Sequence, residues 1–192
     1  MKFIRTSIKD VIICEPQVFG DHRGYFFESF RADSLENFLG FKVDFCQDNE
    51  SKSKYGVLRG LHFQKEPHIQ SKLVRVMEGK VLDMAVDLRK GSPTFGQHVA
   101  VELSSENRKQ MFIPRGFAHG FAVLSETAIL AYKCDNYYTP KLERGLLFND
   151  SSLGIDWKLP EKDLILSDKD KNQPSLAKAD VFNYSDEFYS HV

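Results

Sequence analysis

One histidine has the position and chemical type needed to move a proton. His62 lies in segment 58–64 (LRGLHFQ), whose apolar residues alternate as in a strand. Imidazole titrates near neutral pH, so a histidine that a carboxylate orients is a suitable general base. The simpler interpretation is a core histidine whose ring is satisfied by a backbone carbonyl. The segment alone leaves both interpretations open.

Several other polar side chains are predicted to point inward from strands. Residues two apart on a strand share a face. The sets that share a face are Phe26 with Glu28, Gln47 with Asn49, Lys72 with Val74 and Val76, and His119 with Phe117 and Phe121. Taken singly, each polar residue is more typical of an exposed sheet surface. Pointing into a small barrel is costly unless such groups meet one another, water or a ligand, so the prediction depends on several strands agreeing.

Arg59 and His62 raise a question of register. Strict alternation places them on opposite faces of the strand. If both serve one site, Gly60 should mark a bulge or a twist.

Other kinds of site lack their motifs. Metal-binding barrels commonly offer two histidines one residue apart, but Gln64 follows His62 and the sequence contains no His-x-His. Gly116 and Gly120 lack the strand–loop–helix context of a phosphate-binding loop. A serine nucleophile elbow is also missing. The remaining chemistry is acid–base catalysis, with cations for an anionic ligand.

The elements that position these residues are predicted to be mostly strands. Alternating apolar runs predict strands near 11–15, 24–30, 43–50, 57–64, 72–78, 80–88, 97–103, 110–113, 117–124 and 127–135. Many strands with few helices between them indicate an antiparallel barrel or sandwich, an all-β fold. One short helix is predicted to begin at Asp33 as its cap, with Leu35, Phe38 and Leu39 on one face. Most aromatic side chains are expected to fill the space between two sheets.

Length and composition fit one domain spanning 1–192. The segment after Pro160 is more polar, and we expect it to lie over the barrel as a C-terminal extension, with 170–192 as its polar end.

The 26 Lys+Arg nearly balance the 27 Asp+Glu, so nucleic-acid binding is not indicated. Cys14, Cys46 and Cys134 form no CxxC pair, which fits a reducing cytoplasm. Neither a signal peptide nor a membrane-spanning segment is predicted.

A series of motifs makes the sequence resemble the dTDP-4-dehydrorhamnose 3,5-epimerase family. The resemblance runs from about residue 4 to residue 175. Its segments are 19–28 (FGDHRGYFFE), 56–64 (GVLRGLHFQ), 72–76 (KLVRV), 91–96 (GSPTFG), 113–121 (IPRGFAHGF), 132–133 (YK), 137–140 (YYTP) and 166–170 (LSDKD). Each segment is weak by itself, but their order over most of the chain is highly specific.

The resemblance implies a cupin-type jelly roll with a few short helices, a homodimer and no cofactor or metal. It implies conversion of dTDP-4-dehydro-6-deoxy-D-glucose to dTDP-4-dehydro-L-rhamnose. His62 is then the base, Asp170 the carboxylate that orients it, Tyr132 the proton donor and Lys72 the group that stabilises an enolate. The residues that fall where substrate contacts are expected are Arg23, Phe26, Glu28, Gln47, Asn49, Arg59, His119, Tyr138, Glu143 and Lys169. Phe19 and Phe26 suit either stacking on thymine or filling of the core.

Three alternatives stay open at this level. Related enzymes that invert only C3 or only C5 use the same residue types. A non-catalytic sugar-binding cupin would be expected to lose His62, Tyr132 or Asp170, and all three are present. A metal-dependent cupin oxygenase lacks its ligands. The resemblance also implies that the early strand carrying Arg23 is exchanged with a partner subunit, so that the site is completed across a dimer interface.

Overall fold

Strands dominate the computed structural model, which describes residues 1–185, 188 and 189. The strands within these residues are β1 (Lys2–Arg5), β2 (Ile12–Glu15), β3 (Phe19–Asp21), β4 (Gly24–Phe26), β5 (Gln47–Lys54), β6 (Leu58–Gln64), β7 (Lys72–Glu78), β8 (Lys80–Asp87), β9 (Arg89–Lys90), β10 (His98–Ser104), β11 (Gln110–Ile113), β12 (Phe117–Val123), β13 (Thr127–Cys134), β14 (Glu143–Gly145) and β15 (Phe182–Asn183). The α-helices are α1 (Ala32–Leu39) and α2 (Asp168–Lys171), and single 3-10 turns lie at Pro140–Leu142, Glu161–Asp163 and Leu176–Lys178.

Eleven of these strands form two antiparallel sheets. One has the order β1-β2-β11-β7-β13-β5, and the other has the order β10-β8-β12-β6-β14. Their inward residues pack together as one apolar cluster, which includes Val74, Leu103, Met111, Phe121 and Leu130. Two sheets that enclose a core and exchange strands out of sequence order form a jelly roll. The predicted all-β fold is confirmed.

Helix α1 covers the outer face of the six-stranded sheet. Leu35 is buried there, and Phe38 and Leu39 pack against the same cluster, which confirms the predicted apolar face. The predicted cap is wrong. The helix begins at Ala32, and Asp33 lies in its first turn, where its carboxylate binds the Arg31 guanidinium at 2.7 and 2.8 Å. The helix ends at Gly40, whose backbone is in the left-handed conformation.

The chain after β14 covers the outer face of the five-stranded sheet. Leu61 and Met84 from that sheet pack against Leu146, Trp157 and Phe182 in a second apolar cluster. The indole of Trp157 donates a hydrogen bond to the carbonyl of Phe148 at 2.9 Å. The described part of the C-terminal segment therefore packs over the five-stranded sheet.

One predicted strand is shorter than expected and another is shifted along the chain. β4 ends at Phe26, and β5 has the predicted length but begins four residues later, at Gln47, so residues 27–30 and 43–46 lie outside strands. Phe30 and Phe45 contact each other edge to face at 5.4 Å and pack into the cluster beneath α1. Their apolar rings therefore pack against helix α1 and do not form part of a strand. Sequence reasoning missed the short strands β1, β3, β9, β14 and β15.

A bulge in β6 resolves the question of register. His119 and Phe121 are two residues apart on β12, and they pair with His62 and Arg59, which are three apart. Gly60 supplies the extra residue with φ of 118°, a conformation that favours glycine. A Cβ there would lie 2.6 Å from Gly120 Cα. The predicted bulge is confirmed, and it turns Arg59 and His62 to the same cavity.

No helix among the described residues is long and apolar enough to cross a membrane.

Candidate active site

A cavity of about 550 Å³ opens between the two sheets. It gathers seven predicted site residues from both sheets and from α2. They are Arg59, His62, Lys72, His119, Tyr132, Lys169 and Asp170. Apolar side chains of Val57, Leu58, Phe121 and Ile165 complete much of its wall. A few polar groups that converge in a partly apolar cleft are typical of a small-molecule site.

His62 and Asp170 form the closest polar pair in this wall. Nε2 of His62 lies 2.5 Å from Oδ1 of Asp170, and the two side chains are 27% and 6% exposed. Ser167 caps α2: its Oγ donates to Asp170 Oδ2 at 2.8 Å and accepts the Asp170 N–H at 3.1 Å. These contacts hold the carboxylate against the imidazole ring.

The charge state of Asp170 determines which nitrogen of His62 is basic. Burial acts to raise the pKa of Asp170, but the hydrogen bond and charge of His62 and the bond from Ser167 outweigh it and lower that pKa. An ionised carboxylate accepts the hydrogen on Nε2, so Nδ1 of the neutral ring carries the free lone pair. This contact fixes the orientation of the ring and leaves Nδ1 as its accepting nitrogen.

Lys72 and Tyr132 lie on the opposite sheet from His62. Cys134 of β13 pairs with Lys72 of β7, so Tyr132 is a diagonal neighbour of Lys72, whose Nζ lies 5.6 Å from the centre of its ring. Burial lowers the pKa of Lys72, and it raises the pKa of Tyr132 to about 12. The phenol therefore keeps its proton at neutral pH and can donate it. The predicted orientation of Lys72 into the barrel is confirmed.

His119 is buried beside Phe117 and Phe121, as alternation predicted. Its Nε2 lies 2.7 Å from Oδ1 of Asp83, and its ring centre lies 6.3 Å from that of Tyr132. Burial lowers the pKa of His119, although the charge and hydrogen bond of Asp83 act in the opposite direction. Sequence reasoning missed Asp83. A charged residue on the apolar, inward face of β8 was the signal that could have found it.

A second polar group contacts Lys169, one of the residues that line the cavity. Glu143 Oε2 accepts from the Tyr138 hydroxyl at 2.6 Å and pairs with Lys169 Nζ at 2.5 Å. Burial opposes these contacts, but together they lower the pKa of Glu143. The carboxylate of this group is therefore paired with the Lys169 ammonium.

Gln47 and Asn49 extend this polar group along β5. Gln47 Nε2 donates to Asn49 Oδ1 at 2.9 Å, which confirms that the two share a face. Gln47 Oε1 accepts the backbone N–H of Tyr138 at 2.9 Å, and Asn49 is paired with Tyr132 in the strand register. Arg59 Nε donates to Ser53 Oγ at 3.1 Å.

Seven predicted site residues are not among the described residues that line the cavity. Gln47, Asn49, Tyr138 and Glu143 belong to the polar group beside Lys169, whereas Arg23, Phe26 and Glu28 lie elsewhere. Arg23 and Phe26 belong to the exposed hairpin of β3 and β4, where Arg23 pairs with Asp21 at 2.6 Å. Phe19 and Phe26 are 57% and 71% exposed. Within one chain, the core-filling interpretation of these two rings is wrong.

The described residues contain no group of three or more His, Cys, Asp or Glu side chains placed to hold a metal ion. His191 lies outside the described residues. That the chain uses neither metal nor cofactor stays a prediction.

The fold and the cavity define a class: a jelly-roll protein of cupin type whose sheets present an imidazole–carboxylate pair opposite a phenol and an ammonium group. The dTDP-4-dehydrorhamnose 3,5-epimerase family model matches residues 5–178. A relative of that name from Shigella flexneri is 54% identical over 182 residues, which cover 95% of this chain and 99% of the relative. The chain belongs to the dTDP-4-dehydrorhamnose 3,5-epimerase family, and it is therefore a sugar-nucleotide epimerase, an isomerase.

Solved structures agree with this assignment. The crystal structure of dTDP-4-dehydrorhamnose 3,5-epimerase from Elizabethkingia anophelis is 56% identical, with a TM-score of 0.88, and the match covers 91% of this chain and 96% of that one. The 3,5-epimerase from Legionella pneumophila, solved in complex with dTDP-4-keto-L-rhamnose, is 49% identical with a TM-score of 0.92. That match covers 96% of this chain and 99% of the other.

Proposed function

We propose that this chain converts dTDP-4-dehydro-6-deoxy-D-glucose to dTDP-4-dehydro-L-rhamnose in dTDP-rhamnose synthesis. The observation that carries the proposal is the placement of His62 with Asp170 on one side of the cavity and of Tyr132 with Lys72 on the opposite sheet. Inversion at carbon requires a base on one face of the sugar ring and an acid on the other. These two walls supply both groups.

Proton removal is assigned to His62. A C–H bond beside the C4 ketone breaks when the imidazole takes the proton and the electron pair forms a C=C bond, so that O4 becomes an enolate oxygen. The negative charge must be met as it forms, and this role is assigned to the half-buried ammonium of Lys72. Asp170 orients the ring and stabilises the imidazolium.

Proton return is assigned to Tyr132. Its hydroxyl gives a proton to the same carbon from the opposite ring face, the C=C electrons form the new C–H bond, and the ketone is restored. The high pKa of Tyr132, about 12, keeps this proton available at neutral pH. His62 and Tyr132 return to their starting states by exchange with water. The same cycle at C3 and at C5 gives the double inversion.

The cationic residues of the cavity and the polar group beside Lys169 are assigned to the nucleotide and diphosphate. Arg59 and Lys169 supply cationic groups, and a guanidinium can bind two phosphate oxygens at once. His119, Gln47 and Asn49 supply polar contacts to the sugar or the base. Tyr138 and Glu143 are assigned to substrate binding because they belong to the polar group that contacts Lys169.

A homodimer is proposed to complete the site. Arg23 and Phe26 lie outside the cavity on a two-stranded hairpin that leaves aromatic rings of Phe19 and Tyr25 in solvent. Exposed aromatic rings beside open strand edges are favourable places for a second copy to pair. In the proposed dimer, Arg23, Phe26 and Glu28 of each subunit reach the partner's cavity.

NMR of the purified chain with the dTDP-4-keto sugar in D2O tests the reaction. The proposal predicts that deuterium enters at both C3 and C5 and that both centres invert. Exchange and inversion at one carbon only would identify a single-position epimerase. Binding without exchange would identify a sugar-binding cupin.

A further inference from the structure

Two aspartates on β8 have opposite surroundings. Asp87 is fully buried and accepts five hydrogen bonds: from the backbone N–H, Nε and Nη2 of Arg89, and from the hydroxyls of Ser92 and Thr94, at 2.7–2.9 Å. Its charge is also paired with the Arg89 guanidinium. This is the pattern of a carboxylate that stabilises a fold.

Asp83 is equally buried and lacks that support. Its side chain is 0% exposed, and Oδ1 lies 2.7 Å from His119 Nε2. Within the described part of the chain, Oδ2 has no hydrogen-bond partner. Val81 and Ala85, its neighbours on the inward face of β8, are apolar. A buried carboxylate with half of its bonding capacity unmet is unfavourable for folding, so stability does not account for Asp83.

We propose that Asp83 is a positioning residue that acts through His119. It holds the hydrogen of His119 on Nε2, and this leaves Nδ1 to accept a hydrogen bond from a hydroxyl group of the sugar. The inference rests on the proposed function, since it assumes that the cavity binds the keto sugar.

The position of His119 explains why its orientation matters. His119 is the register partner of His62, and its ring lies 6.3 Å from that of Tyr132. A sugar hydroxyl bound to His119 would therefore hold the ring between the base and the proton donor. Burial lowers the pKa of His119, so the imidazole is neutral and has one accepting nitrogen. A reversed tautomer would present a donor there and repel the hydroxyl hydrogen.

The tautomer can be observed in the free protein. A long-range ¹H–¹⁵N correlation spectrum distinguishes protonated from unprotonated ring nitrogens, and the His119→Gln spectrum identifies which signals belong to His119. The expected result is a hydrogen on Nε2 and a bare Nδ1. A hydrogen on Nδ1 in the wild-type chain would overturn the inference. This measurement does not depend on turnover.

Turnover tests the role itself. Asp83→Asn keeps the size of the side chain and removes its charge, and kcat is expected to fall about 10- to 100-fold, as when a carboxylate that orients a functional histidine is lost. Binding of dTDP, which lacks the sugar, should stay within about twofold. Because Asp83 acts through His119, the double variant with His119→Gln should be no slower than His119→Gln alone, again within about twofold.

Asp87→Asn is the matched control. It removes the charge of an equally buried aspartate on the same strand, and it should lower the urea midpoint while kcat stays within about twofold of wild type. Wild-type kcat in Asp83→Asn, or losses that multiply in the double variant, would refute the inference and leave the proposed function intact. A wild-type chain that left the keto sugar unchanged would refute both.

Discussion

Oδ1 of Asp170 lies 2.5 Å from Nε2 of His62, although 108 positions separate the two residues in the chain. His62 comes from the middle of a sheet, whereas Asp170 comes from the one-turn helix α2 in the segment that covers that sheet. The base and its orienting carboxylate therefore come together only when the C-terminal segment packs onto the barrel. In the proposed mechanism, this hydrogen bond makes catalysis depend on the packing of the C-terminal segment.

His62→Ala is expected to lower the rate of deuterium entry at C3 and C5 by about 100- to 10,000-fold, the range that a general base contributes. Asp170→Asn should lower it less, because the ring loses its orientation but the base remains. Folding and dTDP binding should be unchanged in both. The measurement is deuterium incorporation by NMR, with His98→Ala as a control outside the cavity. Wild-type exchange in His62→Ala would remove this residue from the mechanism.

Tyr132→Phe is expected to separate exchange from inversion. The base can still remove a proton and return a deuteron to the same face, so deuterium should enter with retention of configuration. Inverted product should fall about 100-fold or more, since the proton donor is gone. NMR of the recovered sugar reports both quantities. Tyr184→Phe, at an exposed position, is the control, and equal loss of exchange and inversion would contradict a donor role.

Lys72 links catalysis to pH. Burial lowers the pKa of Lys72 below its ordinary 10.5, so the ammonium that stabilises the enolate is lost as pH rises through that lowered value. We therefore expect kcat of the wild-type chain to fall at an alkaline pH below 10.5. A profile that stays flat to that pH would show that Lys72 is not needed in its charged form.

The same burial predicts that Lys72→Met is more stable and nearly inactive. A lysine with a lowered folded-state pKa binds fewer protons than in the unfolded chain, so the free energy of unfolding rises with pH across the window between the two pKa values. Below that window the charged lysine is destabilising, and replacing it should raise the urea midpoint at pH 7. The value of kcat should fall about 100- to 1000-fold. Lys52→Met, at an exposed site, should change neither, and a lower midpoint in Lys72→Met would contradict the stability argument.

Metal removal should leave the enzyme unchanged. The sequence has no His-x-His pair, and the described residues contain no three-ligand cluster. Exhaustive dialysis against a chelator, followed by assay in metal-free buffer, is expected to preserve kcat. Activity that is lost on chelation and restored by one divalent ion would overturn the cofactor-free prediction.

A mixed dimer tests whether two subunits share each site. A His62→Ala chain is combined with an Arg23→Ala chain, each nearly inactive alone. If Arg23 serves the partner's site, the heterodimer has one site with both defects and one site with neither. Activity should then recover to at most about half of wild type per dimer. A verified heterodimer without recovery would show that Arg23 serves its own subunit or neither.

Local patterns in the sequence were sufficient for the strands that carry the cavity walls. Alternation placed Lys72 and His119 on inward faces, because side-chain direction on a strand depends only on position along it. Gly60 was predicted to relieve the conflict between Arg59 and His62, since one extra residue reverses the alternation. The family resemblance supplied the roles of Tyr132 and Asp170, which local pattern alone does not reveal.

Tertiary structure decided which of these residues meet. Asp83 escaped sequence reasoning because an aspartate in a strand is ordinarily exposed. Its place on the apolar face of β8 was the local signal, but its contact with His119 exists only in the folded chain. Phe30 and Phe45 were predicted to lie in strands, but they pack beneath α1. An apolar side chain stabilises the fold wherever it is buried, so its hydrophobicity does not specify a strand. Alternation along a strand is local and can be read from the sequence. Contacts between distant segments, such as Asp170 with His62, depend on how the layers pack, and no local pattern contains that information.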